Sequence, residues 1–162
     1  MNDINTVYMK MIEFDRGTAR CIQHFTKVHS YCRLIGTLEG LDENTLRTLE
    51  IGALLHDIAI VPCKEKLGRT DGKTQEIEGP AYAKQLLFGI CDQSTIDRVL
   101  ELIAHHHTYD PIIGIDHQIL VEADFLVNLF EGNKDAETIK NVYENIFRTE
   151  TGKKILREMF AL

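Results

Sequence analysis

The 162-residue sequence has no tryptophan and only three prolines, Pro62, Pro80 and Pro111. Proline breaks helices by removing a donor and crowding the preceding turn, so this scarcity leaves long stretches free to be helical. Its four cysteines, Cys21, Cys32, Cys63 and Cys91, form no Cys-x-x-Cys pair and no zinc-ribbon spacing, and they read as reduced, mostly buried thiols. Nowhere do ~18 apolar residues run together, which argues against a membrane span. The amino terminus lacks a basic region followed by an apolar stretch and a small-residue cleavage site, so a soluble, cytoplasmic protein is expected. Positive charge is also short: 18 Lys+Arg stand against 25 Asp+Glu, a net charge of −7. That balance is a poor one for gripping a phosphate backbone, and neither a nucleic acid polymer nor a membrane is expected as a partner.

At 44% hydrophobic and 27% charged, the chain has the composition of one globular domain. A chain this long removes roughly two thirds of its unfolded surface from water, so it needs no metal merely to fold, and any metal site serves chemistry. Ala19, Ile22, Phe25, Val28, Cys32 and Ile35 recur at three- and four-residue steps, predicting an amphipathic helix from Thr18 to about Glu39 that Gly40 ends. Asp42 caps a second helix running towards His56-Asp57, a third is expected over Ile77 to Ile90 with Pro80 in its opening turn, and Asp92 caps a fourth that ends in His105-His106-His107. A fifth follows the Ile112-to-Asp116 turn and runs to about Phe130 before the stop at Gly132-Asn133. One or two more occupy Ala136 to Leu162. With no alternating strand pattern and no repeat, the expectation is an all-α single domain over 1–162, with a core at about 18–130 and the segment 134–162 as a cover. Ile155, Leu156, Met159, Phe160 and Leu162 form an apolar end, which leaves both a homodimer and simple closure of the core open.

The stretch from Ile60 to Thr74 reads as a long connection, and loops of that length in compact domains are often functional. It carries Lys64, Lys66, Arg69 and Lys73; taken alone it reads as a solvated surface loop, but it directly follows His56-Asp57.

Several polar residues fall where a helical core should have none. His56 and Asp57 lie between Ile51-Gly-Ala-Leu-Leu55 and Ile58-Ala-Ile60; Asp124 lies among Leu120, Val121, Ala123, Phe125, Leu126 and Val127; His29 follows Val28. A buried carboxylate needs a partner, because burying an isolated ion costs more than one hydrogen bond returns. Any one of these residues alone reads as an ordinary core residue. Together, two imidazoles and two carboxylates suit a divalent transition metal such as Mn, Fe, Co, Ni or Zn.

These residues, in the contexts His29-Ser-Tyr-Cys-Arg, Ala-Leu-Leu-His56-Asp57-Ile and Val-Glu-Ala-Asp124-Phe-Leu, resemble the motif of the HD-domain metal-dependent phosphohydrolases over about Thr18 to Phe130. The resemblance implies an HD-type helical bundle around one metal held by His29, His56, Asp57 and Asp124. That metal would lower the pKa of a bound water to give hydroxide near neutral pH and polarise a phosphoryl oxygen. It further implies catalytic roles for Asp57, His106 and Lys64. A second metal position would draw on His106 and His107 beside Tyr109 and Asp110, although the run of three histidines equally suits a helix C-terminus. In this second position the family's usual histidine is replaced by Gln75, a poor transition-metal ligand. For a substrate phosphate the candidates are Arg33, one turn after His29, together with Lys66 and Arg69; Arg33 reads equally well as a surface salt bridge.

The activity expected is hydrolysis of a small phosphorylated metabolite, foremost a nucleotide. A di-iron oxygenase on the same scaffold, which needs both metal positions, and a non-catalytic module that binds a nucleotide or a partner are the alternatives.

Overall fold

A computed structural model describes residues 3–162, and among them the secondary structure is nine α-helices with no strand. In chain order these are α1 (Asp3–Phe14), α2 (Ala19–Leu38), α3 (Glu43–Leu55), α4 (Ile60–Leu67), α5 (Gly72–Leu87), α6 (Gln93–His105), α7 (Ile115–Glu131), α8 (Ala136–Asn145) and α9 (Glu150–Phe160). The all-α expectation therefore holds. No helix among the described residues is long and apolar enough to cross a membrane.

Side-chain caps account for most helix starts. Asp42, Asp71, Asp92 and Asp135 each accept the backbone N–H of the residue three positions on, which satisfies a donor that the first turn leaves free. Two buried clusters meet across α3. One joins Val28, Cys32 and Ile35 of α2 to Leu120, Ala123 and Leu126 of α7, and extends to Phe147 and Leu156. The other joins Val7 and Met11 of α1 to Phe25, Leu54, Ile58, Ala83 and Ile103. At the carboxy-terminal end, Leu156 is buried while Ile155, Met159 and Phe160 pack against the first cluster, so most of that apolar end closes the core.

Two expectations need correction. The connection from Ile60 to Thr74 is not a loop: its first half is α4 and its end opens α5. With only eight residues and the charge run Lys64-Glu65-Lys66, α4 has little periodicity to read, yet Pro62 sits in its first turn, where a missing N–H costs nothing. Gly68 ends the helix at φ 68°, in the left-handed region, with its N–H donating to Lys64 O. The true connection is Gly68–Asp71. Because α5 starts at Gly72, Pro80 lies in its interior rather than in its opening turn. The helix tolerates it at the cost of the donor that Glu76 O would otherwise accept. Close by, a Cβ on Gly79 would lie 2.6 Å from Ile103 Cγ2, so α5 and α6 approach with no room for a side chain there.

Candidate metal centre

Three helices deliver one cluster. His24 projects from α2, His56 ends α3, Asp57 opens the turn beyond it, and Asp124 sits in the middle of α7; all four are buried. Ile58 and Ala59, fully buried, anchor the turn and aim Asp57 inward. His24 Nε2 lies 3.2 Å from His56 Nε2, 3.1 Å from Asp124 Oδ1 and 3.3 Å from Asp57 Oδ2. His56 Nε2 is 3.3 Å from Asp57 Oδ2 and 3.4 Å from Asp124 Oδ1.

The other ring nitrogens are committed elsewhere. His56 Nδ1 donates to Ala53 O at 2.8 Å, and His24 Nδ1 donates to Glu131 Oε2 at 3.2 Å. In its neutral form each ring therefore turns a bare Nε2 lone pair towards two carboxylates, a convergence of acceptors that calls for a cation. The titration behaviour shows the same demand for positive charge, here met by protons on the rings. Burial by itself would push both imidazoles down, yet Asp124 and Asp57 raise His24 to about 9 and hold His56 well above its ordinary value. Burial likewise opposes ionisation of the two carboxyls, but the imidazoles and their hydrogen bonds hold Asp57 and Asp124 well below the usual carboxylate range. This donor set fits a divalent transition metal. One carboxylate and one amide steady it: Glu131 orients His24 and is itself paired with Lys27 Nζ at 3.0 Å, while Asn128 Nδ2 donates to Asp124 Oδ1 at 2.9 Å.

His29 is not in this cluster; the imidazole that α2 contributes is His24. The two are five residues apart, about 140° around a helix of 3.6 residues per turn, so they cannot face the same point. His29 turns instead towards α3, with Nε2 3.0 Å from Glu50 Oε1 and its ring edge-on to Tyr8. Arg33 does share the side of His29, as its spacing implies, but that side is the Glu50 side: Arg33 Nη1 donates to Glu50 Oε1 at 3.2 Å, away from the cluster. His24 carried its own signal, since it stands four residues before Val28 and eight before Cys32 on the buried stripe.

Asp57 faces both ways. Its Oδ1 lies 2.9 Å from His106 Nε2 and 3.9 Å from His107 Nε2, and these three residues form a second group that could hold an ion. His106 is buried, with Nδ1 donating to Ile103 O at 2.7 Å. Glu76 Oε1 accepts the His107 backbone N–H at 3.0 Å and the Thr108 hydroxyl at 2.8 Å, which fixes the end of the histidine run. His105 points outward, with Nδ1 donating to its own helix at Glu101 O.

The first cluster opens on a cavity of about 510 Å³ walled by Cys21, Phe25, Ile60, Thr70 and Asn128, with Arg20, Lys64 and Arg69 supplying its positive charge. The Arg20 and Lys64 side chains make no hydrogen bond or ion pair among the described residues, whereas Arg69 Nε donates to Asp71 Oδ2 at 2.7 Å. Lys64 lies one helical turn after Ile60, so α4 presents both to the cavity. Lys66 is on another face: its Nζ donates to Tyr82 OH at 3.2 Å and lies outside the cavity wall. Arg20 lies off the buried stripe of α2, so the apolar spacing does not single it out.

Comparison with known proteins agrees with this geometry. The HD domain family model matches residues 21–158. Among solved structures, the crystal structure of a predicted HD superfamily hydrolase from an uncultured Thermotogales bacterium is similar, with a TM-score of 0.67 and 26% identity over 99% of this chain and 85% of that one. Comparison with curated proteins finds no match. A match over residues 21–158, on helices that bring His24, His56, Asp57 and Asp124 to one point, makes this chain a member of the HD domain family.

Proposed function

We propose that the chain is a metal-dependent phosphohydrolase that cleaves the phosphate ester of a small metabolite, with nucleotides as the foremost substrate class. The observation that carries the reading is the convergence of two imidazole lone pairs and two carboxylates at the base of a cavity whose wall holds two unpaired cations, Arg20 and Lys64. When bound, a divalent ion supplies an activated water as nucleophile and positive charge for a phosphoryl oxygen.

The chain's own residues do the rest. His24, His56, Asp57 and Asp124 hold the ion; Glu131 and Asn128 keep His24 and Asp124 in register. Arg20 and Lys64, free of internal partners, neutralise the phosphate's charge as it shifts towards the leaving oxygen, and Arg69 adds to the same field. His106, held by Ile103 O, keeps Asp57 Oδ1 oriented. A volume of about 510 Å³ falls within the range of small-molecule sites.

The test compares the parent protein with His24→Ala and His29→Ala after chelation and reloading with Mn, Co, Ni, Zn or Fe, reading metal per chain and phosphate release from a panel of nucleotides and sugar phosphates. The parent and His29→Ala should hold metal and release phosphate, and His24→Ala should do neither. A parent that binds no metal, or a His24→Ala protein that turns over at the parent rate, overturns the proposal.

A further inference from the structure

Gln75 lies in the first turn of α5 and is buried. Its amide nitrogen donates to Thr70 O at 2.7 Å, which fixes the orientation of the group and leaves Oε1 as an acceptor 3.3 Å from His107 Nε2. An amide oxygen is satisfied by an N–H and not by a lone pair, so this contact calls for the proton of His107 to sit on Nε2. Nδ1 is then the bare nitrogen, and the Tyr109 hydroxyl, 3.3 Å away, donates to it. The donors run in one direction, from Tyr109 O–H through the His107 ring and the Gln75 amide to Thr70 O. The opposite tautomer would set His107 Nε2 and Gln75 Oε1 against each other as two acceptors.

The ring is seated for this role. A Cβ on Gly72 would lie 2.8 Å from His107 Cγ, so the absence of a side chain lets the imidazole rest against the opening turn of α5, beside Gln75. His106 is arranged the other way: its Nδ1 donates to Ile103 O, and its Nε2 faces Asp57 Oδ1. Of the two adjacent rings, only His106 can turn a lone pair to the space beside Asp57.

We propose that Gln75 and Tyr109 hold His107 as an Nε2–H donor, so that the Asp57–His106–His107 group lacks its third lone pair and the chain takes one divalent ion, not two. The inference rests on the functional reading only in taking the His24–His56–Asp57–Asp124 centre as the occupied one. It leaves a di-iron oxygenase without its second iron.

Two measurements test it on the full chain. In zinc-loaded protein labelled with 15N-histidine, long-range 1H–15N correlation should find His107 protonated on Nε2; a proton on Nδ1 overturns the inference. Metal analysis after reloading with excess manganese or iron and removal of free ion should give one ion per chain for the parent and a second ion for Gln75→Ala or Gln75→His. Two ions in the parent, or one in both folded variants, overturns it. A parent with no ion fails the functional reading itself, which keeps the two failures apart.

Discussion

Replacing Asp15 with asparagine should stabilise the protein at neutral pH, by an amount that shrinks on acidification. Asp15 follows α1 and is only 1% exposed, yet neither carboxylate oxygen has a hydrogen-bond partner. Its main chain is well held, with its N–H donating to Met11 O and its carbonyl accepting from Thr18 N, so the side chain cannot easily leave. Burial first, and the charge of Asp57 second, raise its pKa from 3.8 to about 6. Because the folded pKa lies above the unfolded one, the native state binds more protons between these values, and stability falls as pH rises through that window. At ~1.4 kcal/mol per unit, the ionised carboxylate costs about 3 kcal/mol at pH 8, about half that at pH 5 and almost nothing below the unfolded value. Asparagine has the same shape and no charge, so Asp15→Asn should recover at most about 3 kcal/mol at pH 8, less the cost of its own unpaired amide, an upper bound of roughly 6–12 °C in Tm for a domain of this size. Denaturant unfolding of both proteins from pH 5 to pH 8, with chelator present so that metal linkage does not enter, reads the difference. A variant no more stable than the parent at pH 8, or a gain that grows towards pH 5, would refute the reasoning.

Two further outcomes follow from particular contacts. Glu131→Gln keeps the shape but loses the charge that accepts His24 Nδ1–H and pairs with Lys27; metal affinity, read by competition with a chelator, should weaken roughly 10- to 100-fold, and unchanged affinity would remove Glu131 from its orienting role. Gly79→Ala forces a Cβ to within 2.6 Å of Ile103 Cγ2, and the overpacking, about 1–3 kcal/mol, should outweigh alanine's helix preference and lower the denaturation midpoint; an unchanged midpoint would mean that α5 and α6 separate freely.

Much of this protein is legible in the chain because local rules suffice for it. The starts of α3 and α6 are written in Asp42 and Asp92, whose carboxylates accept backbone donors two or three residues away. His56, Asp57 and Asp124 stand out because a charge or an imidazole inside an apolar helical run must find a partner, a requirement set by desolvation before any packing is known. What local rules leave open is direction. Whether His24 or His29 reaches the cluster depends on how α2 is rotated against α3 and α7, and both histidines border the same apolar stripe. Glu50 takes up His29 and Arg33 on one side while Asp57 and Asp124 draw His24 on the other, and of these carboxylates Glu50 lies on α3, Asp57 in the turn beyond it and Asp124 far along the chain on α7. The cationic segment was likewise visible as composition, but only α4, packed through Pro62 and Cys63, turns Lys64 into the cavity and Lys66 towards Tyr82. A helix advances ~100° per residue, so a shift of one or two positions sends a side chain to a different neighbour, and the tertiary contacts select which.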